Sequence, residues 1–160
     1  METARLTLMV IAAVASGLVA GIFLIFSITV MAALRRLPPA FGMAAMQHVN
    51  AIIQNVLFLG LFLGTALVSV ILAVTAIMRW GEDGMAYLLV GSLLYLIGAF
   101  GVTVVCNVPR NNALAAVDAN DPVAVDVWAT YVAEWTMWNH VRAIANIGAT
   151  ICFVLAIVAM

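Results

Sequence analysis

The sequence predicts an all-α protein, a four-transmembrane-helix bundle with an amphipathic helix preceding the last span. Composition is the first reason, because 67% of the 160 residues are apolar and only 8% are charged. A soluble domain has about 45–50% apolar and about 25% charged residues. The second reason is four apolar runs long enough to cross about 30 Å of hydrocarbon, which takes roughly 20 helical residues. We therefore expect residues 1–160 to form a single integral membrane domain, in a bacterial plasma membrane.

The four predicted spans follow one another with short polar connections. They cover about residues 6–34, 46–78, 85–106 and 141–160. The first run is far longer than the roughly 7–15 apolar residues of a signal peptide, so it is predicted to be a span. Pro39 suits the first turn of the second helix, and Asn107-Val108-Pro109 is predicted to end the third. An amphipathic helix over residues 122–140 is expected to continue into the fourth span.

Charge and motif content exclude several classes of function. The net charge is −1 and the six basic residues include no lysine, so the chain lacks the basic surface that nucleic acid requires. Cys106 and Cys152 form no Cys/His cluster with the spacing of a metal site. Nucleotide-binding, zinc-protease and serine-hydrolase motifs are absent from the sequence. No metal and no cofactor is therefore predicted.

Small residues recur at the spacing that lets transmembrane helices approach closely. Gly17 and Gly21 form one GxxxG pair, and Gly60 and Gly64 form another. Two interpretations stay open. These faces pack helices within the bundle, or they join copies of the chain into a homo-oligomer.

Polar side chains gather at one end of the predicted bundle, and several lie inside spans, where polar groups tend to face the interior. Asn139, Arg142 and Asn146 follow at i, i+3 and i+7, which places them on one face of the last helix. Trp135 and Trp138 continue this face toward the membrane surface. Gln47, Asn50 and Gln54 share a face of the second helix in the same way, and Asn107, Asn111 and Asn112 come from the end of the third. This convergence predicts a pocket for a planar, weakly acidic or carbonyl-bearing molecule.

Plainer structural explanations exist for most of these residues. Trp128 and Tyr131 suit an aromatic belt at the membrane interface, and the asparagines suit helix capping or hydrogen bonds between helices. Arg142 could extend toward lipid headgroups. His48 and His140 suit the interface as well as any ligand site.

Three motifs in the chain resemble a known family, the DUF1772 or anthrone oxygenase-like integral membrane proteins. They are MQxxN (Met46, Gln47, Asn50), NxPxNxxL (Asn107, Pro109, Asn111, Leu114) and WxxWNHxR (Trp135, Trp138, Asn139, His140, Arg142). The similarity covers essentially the whole chain. His48 departs from the pattern, which more often has a small residue there. The resemblance implies four membrane helices and, for the fungal members of the family, oxidation of polyketide anthrones to anthraquinones.

An oxidation of this kind needs a base, donors for an oxyanion and a flat apolar cavity. We expect His140 to act as the base, Arg142 and Asn139 to donate to the oxyanion, and Trp135 and Trp138 to stack on an apolar aromatic substrate. The predicted polar rim of the substrate site consists of Gln47, Asn50, Asn107 and Asn111.

Two other classes of function stay open on the sequence alone. One is a redox protein that holds haem or quinone, with His48 and His140 as haem ligands. The other is a non-enzymatic membrane protein that binds a small molecule, a lipid or another protein.

Overall fold

The computed structural model describes residues 2–160, which form five helices and no strand. The helices are α1 (Glu2–Leu34), α2 (Pro39–Ile52), α3 (Val56–Met78), α4 (Met85–Ala115) and α5 (Ala124–Val158). All except α2 are long and apolar enough to cross a membrane. The predicted fold class, an all-α bundle with four spans, is confirmed.

The second predicted span, residues 46–78, was wrong at its beginning. The chain leaves the helical path at Ile53–Asn55, so residues 46–52 belong to α2 and the spanning helix α3 begins at Val56. Asn55 causes this division: its backbone is extended, and its side-chain Oδ1 accepts a hydrogen bond from the Phe58 amide at 3.0 Å. Asparagine favours this N-cap role over a place inside a helix. Pro39, in contrast, lies in the first turn of α2 as predicted.

The predicted end of the third helix at Asn107-Val108-Pro109 was also wrong, because α4 continues to Ala115. Proline removes an amide donor and collides with the carbonyl four residues earlier. The backbone widens into π-helical turns over Thr103–Asn107, directly before Pro109, and wider turns of this kind relieve such a collision. In addition, Arg110 Nη1 donates a hydrogen bond to the Cys106 carbonyl at 2.7 Å.

Helix α5 joins the predicted amphipathic helix and the fourth span in one continuous element. It has 35 residues, which at about 1.5 Å per residue is a length of roughly 52 Å, well beyond the ~30 Å of a hydrocarbon core. Its second half packs between α1 and α4, and its first half packs against α2. The helix therefore links the spanning bundle to the polar end of the molecule.

Residues 2–160 contain two clusters of buried apolar side chains. One lies among the four long helices and includes Phe23, Phe62, Tyr95 and Phe153. The other lies at the polar end, where Trp128, Tyr131 and Trp135 of α5 pack with Met and Leu side chains of α1, α2 and α4. Trp128 and Tyr131 are each only 4% exposed, so the interpretation of these two as an interfacial belt was wrong.

Close helix contacts depend on glycines outside the GxxxG pairs for the most part. A Cβ on Gly42 would lie 2.8 Å from the Leu34 carbonyl and 2.9 Å from the Trp128 ring, and one on Gly98 would meet Ala145. Gly17 lies against Thr150, whereas Gly21, Gly60 and Gly64 face open space. The homo-oligomer remains a prediction.

A small ionic cluster ties the ends of α1 and α3 at the opposite side of the bundle. Glu82 accepts hydrogen bonds from Arg5 and Arg79, each at 3.1 Å. The hydrogen bond from Arg5 is the largest effect on this carboxyl and, with Arg79, it holds the pKa of Glu82 below its ordinary value.

Candidate functional site

Arg142 is the centre of the polar end, and it is buried. The residue is 5% exposed, yet none of the ion pairs in residues 2–160 includes it. Its Nη2 donates to Asn139 Oδ1 at 2.7 Å and its Nη1 donates to Thr103 Oγ1 at 3.2 Å. Its Nε has no hydrogen-bond partner among the described residues. A buried cation without a carboxylate is costly, so a site that retains one is suited to receive an anion.

Aromatic rings partly compensate this burial. The guanidinium carbon of Arg142 lies 4.2 Å from the centroid of the Phe23 ring and 5.1 Å from that of Trp135. Both distances fall within the ~6 Å range of cation–π attraction. The rings fix the plane of the guanidinium without neutralising its charge.

Asn139 holds Arg142 in place from the same helix. Both hydrogens of its Nδ2 are used, one on the Phe23 carbonyl and one on Ser27 Oγ, each at 2.7 Å. Its Oδ1 is therefore directed at Arg142. Ser27 lies in a π-helical turn of α1, Phe26–Val30, and turns of this kind often occur at functional sites.

A second hydrogen-bonded group surrounds Tyr131, which precedes Arg142 by about three helical turns of α5. Tyr131 donates from its hydroxyl to Asn111 Oδ1 at 2.9 Å and accepts from Asn50 Nδ2 at 3.3 Å. It thereby joins α2, α4 and α5. Gln47 braces the same junction, because its Nε2 donates to the carbonyls of Leu114 and Val117 at 2.8 and 2.9 Å.

These two groups border a cavity of about 290 Å³, close to the lower end of the ~300–1,000 Å³ typical of small-molecule sites. The polar side chains that line it are Asn50, Gln54, Thr103, Asn111, Asn112 and Arg142. Its aromatic walls are Phe23, Phe26, Phe58, Phe62, Phe100 and Trp135. The Trp135 indole Nε1 has no hydrogen-bond partner among residues 2–160. The cavity thus has one cationic corner, an amide edge and flat apolar walls.

Of the nine predicted site residues, the structure brings four to this cavity, namely Arg142, Trp135, Asn50 and Asn111. Three others lie outside the cavity and form hydrogen bonds that hold its lining residues or the helices that carry them. Asn139 binds Arg142, Gln47 braces the end of α4, and Asn107 donates from Nδ2 to the Trp135 carbonyl at 3.2 Å.

The other two predicted residues are not brought to the cavity. His140 is exposed and lines a separate groove beside α1, because one residue along an α-helix rotates a side chain by about 100° away from Asn139. Trp138 is half-buried and does not line the cavity. His48 is exposed, with its ring Nδ1 2.8 Å from the Ala44 carbonyl.

Sequence reasoning missed the residues that form most of the walls. The five phenylalanines look like ordinary apolar residues of a span, and Thr103 and Ser27 show no signal at all. Tyr131 was interpreted as part of an interfacial belt, although its i, i+4 spacing from Trp135 was an available clue to its place at the site. Within residues 2–160, no group of three or more His, Cys, Asp or Glu side chains could hold a metal ion.

Comparison with known protein families gives a match. The family model described as anthrone oxygenase matches residues 51–152, which is more than half of the chain. This range contains Arg142, Asn139, Trp135 and Asn111, and it begins one residue after Asn50. No curated protein and no solved structure matches the chain.

Proposed function

The chain belongs to the anthrone oxygenase family, and we propose that it is a membrane-embedded oxidoreductase that binds a planar aromatic ketone of the anthrone class and promotes its oxidation by O2. The observation that carries the proposal is Arg142, a buried guanidinium without a carboxylate partner that lines an aromatic-walled cavity.

The chemistry of an anthrone explains why such a cation is useful. Its ketone is conjugated through two aryl rings to a CH2 group, and loss of a proton from that carbon places negative charge on the ketone oxygen. The anion transfers an electron to O2, and the resulting radical pair combines to form a C–O bond at the former CH2 carbon. The peroxide anion takes up a proton, and the resulting hydroperoxide loses water to give the second ketone. The overall balance is anthrone plus O2 to anthraquinone plus water.

Arg142 would act at the first step by stabilising the oxyanion as its charge develops. Its Nε is free to donate, whereas Asn139 and Thr103 hold its Nη atoms. A fixed donor in a site that excludes water stabilises such charge more strongly than water does. The phenylalanine walls supply the flat, dry surface on which the ring system would stack.

The proposal differs from the sequence-based hypothesis in the base. Among residues 2–160, no carboxylate and no imidazole lines the cavity, and His140 lies on the far side of α5. The proposal therefore has no side-chain base: the proton passes to solvent beyond the amide edge of Asn50 and Asn111, and Arg142 favours its loss by stabilising the anion.

Turnover by an Arg142→Met variant tests the proposal. Methionine keeps much of the length and apolar volume, and replacing a buried charged group by an apolar one is often tolerated in folding. We expect O2 uptake and anthraquinone formation to fall by about 10²–10³-fold, the usual effect of removing one oxyanion donor. The matched control is Arg110→Met, because Arg110 pairs with Glu134 outside the cavity. Equal turnover by both variants, at wild-type helicity, would contradict the assignment.

A second candidate function is a carrier for the same class of molecule. It is favoured by the exposed side chains Leu63, Val104 and Val108, which line the cavity from α3 and α4 and leave it accessible from the lipid side. Wild-type protein that binds an anthrone, seen by quenching of tryptophan fluorescence, without O2 uptake above autoxidation would support the carrier.

A further inference from the structure

A second concave surface lies on the other side of α5 from the cavity. It is a groove of about 790 Å³ between the end of α1 and the first half of α5. The polar side chains that line it are Ser27, Arg35, Arg36, Thr136 and His140, and the remaining lining is mostly Met, Ala, Val, Leu and Trp. Among the described residues, no Asp or Glu lines it.

Arg35 and Arg36 stand apart from the other arginines. Arg5, Arg79 and Arg110 pair with glutamates, and Arg142 is buried at the cavity. Arg35 and Arg36 are exposed, and neither takes part in an ion pair within residues 2–160. Two adjacent unpaired guanidiniums at the end of a spanning helix form a site for an anion at the membrane surface.

The length of the groove indicates which kind of anion it could bind. Its lining on α1 and the two residues after it runs from Ser27 to Arg36, which at about 1.5 Å per residue is roughly 14 Å along the helix axis. The arginines lie at the outer end. Ser27 and His140 lie at the inner end, since Asn139, the neighbour of His140, contacts Ser27. A small anion would occupy only the outer end, so the apolar remainder calls for a molecule with a chain.

We propose that this groove is a binding site for one anionic phospholipid, with its phosphate on Arg35 and Arg36 and an acyl chain along the apolar walls toward the inner end. The site is separate from the cavity of the proposed function and does not depend on it.

Retention of lipid by the full-length protein in detergent tests the site. The protein is incubated with phosphatidylglycerol or phosphatidylcholine of identical acyl chains, and bound lipid is counted by native mass spectrometry. We expect one phosphatidylglycerol per chain and weaker retention of phosphatidylcholine. The double variant Arg35→Gln/Arg36→Gln should bind phosphatidylglycerol about 25-fold more weakly, at about fivefold for each arginine near an anionic headgroup. Arg79→Gln, at the opposite end, should bind it like wild type.

A second variant separates a defined site from general attraction to a basic surface. Ala133 lines the groove and is exposed, so Ala133→Trp would fill the space for the acyl chain without changing any charge. We expect it to abolish the stoichiometric lipid, and we expect excess inorganic phosphate not to displace that lipid from wild type. Unchanged retention by Ala133→Trp, full displacement by inorganic phosphate, equal retention of both lipids, or occupation of the groove by a second copy of the chain would overturn the proposal.

Discussion

At the scale of single residues, the main feature is Arg142, a buried cation that no carboxylate among residues 2–160 neutralises. Arg142 is surrounded by an amide, a hydroxyl and two aromatic rings, which satisfy part of its hydrogen bonding and leave its charge uncompensated. The Nδ2 of Asn139 donates two hydrogen bonds to α1, and its Oδ1 accepts a hydrogen bond from Arg142. A ligand with a negatively charged oxygen would accept a hydrogen bond from the free Nε and balance the charge of Arg142.

Glu82 offers a pH test at the same scale, far from the cavity. Hydrogen bonds from Arg5 and Arg79 lower its pKa in the folded protein, so its contribution to stability is present above the ordinary glutamate pKa of about 4.3. That contribution is lost as the pH falls through the lower, folded-state value. We expect thermal unfolding in detergent to show wild type more stable than Glu82→Gln at pH 7 and the difference to disappear under acid conditions. A difference that is constant with pH would contradict the ionic role of Glu82.

Helical spacing was sufficient to predict the core of the site and insufficient to predict its limits. The i, i+3, i+7 pattern placed Asn139, Arg142 and Asn146 on one buried face. His140 follows Asn139 directly, and chemical suitability as a base could not reveal that it points elsewhere. The phenylalanine walls could not be predicted either, because a ring that lines a cavity and a ring that faces lipid look the same in an apolar run.

At the scale of elements, departures from regular α-helix occur around the cavity. The chain breaks between α2 and α3 at Ile53–Asn55, α1 contains a π-helical turn at Phe26–Val30, and α4 contains two such segments between Leu94 and Asn107. Hydropathy indicates only the length of an apolar run. It could not show that the run 46–78 is divided where the Asn55 side chain caps α3. Four spans could be predicted because length and composition suffice for that.

Two exposed residues of α3 and α4 that line the cavity predict how an apolar molecule reaches it. Leu63 and Val104 are 50% and 49% exposed, so access from the lipid side is expected between them. Leu63→Trp should narrow this entrance and slow association and dissociation of an anthrone together, with little change in Kd. The control is Leu67→Trp, one turn along α3, which is 63% exposed and does not line the cavity. Stopped-flow fluorescence measures both rates, and equal rates in the two variants would place access elsewhere.

At the scale of the whole molecule, the two ends of the bundle differ in structure. One end is a short turn held by Glu82. The other carries α2 and the first half of α5, and it holds the cavity and the groove on opposite sides of α5. The uneven distribution of polar residues along the sequence predicted which end holds the cavity. How α2 folds onto that end could not be predicted, because it depends on close contacts such as Gly42 against Trp128.

The measurement that tests the central claim most directly is the ionisation of a bound anthrone under anaerobic conditions. Without O2 the enolate accumulates instead of reacting, and its absorbance reports the fraction ionised at each pH. Wild-type protein should lower the apparent pKa of the bound anthrone relative to the same compound in detergent, and Arg142→Met should bind it without that lowering. An equal apparent pKa in wild type and Arg142→Met, with the anthrone bound to both, would contradict a role for Arg142 in stabilising the oxyanion.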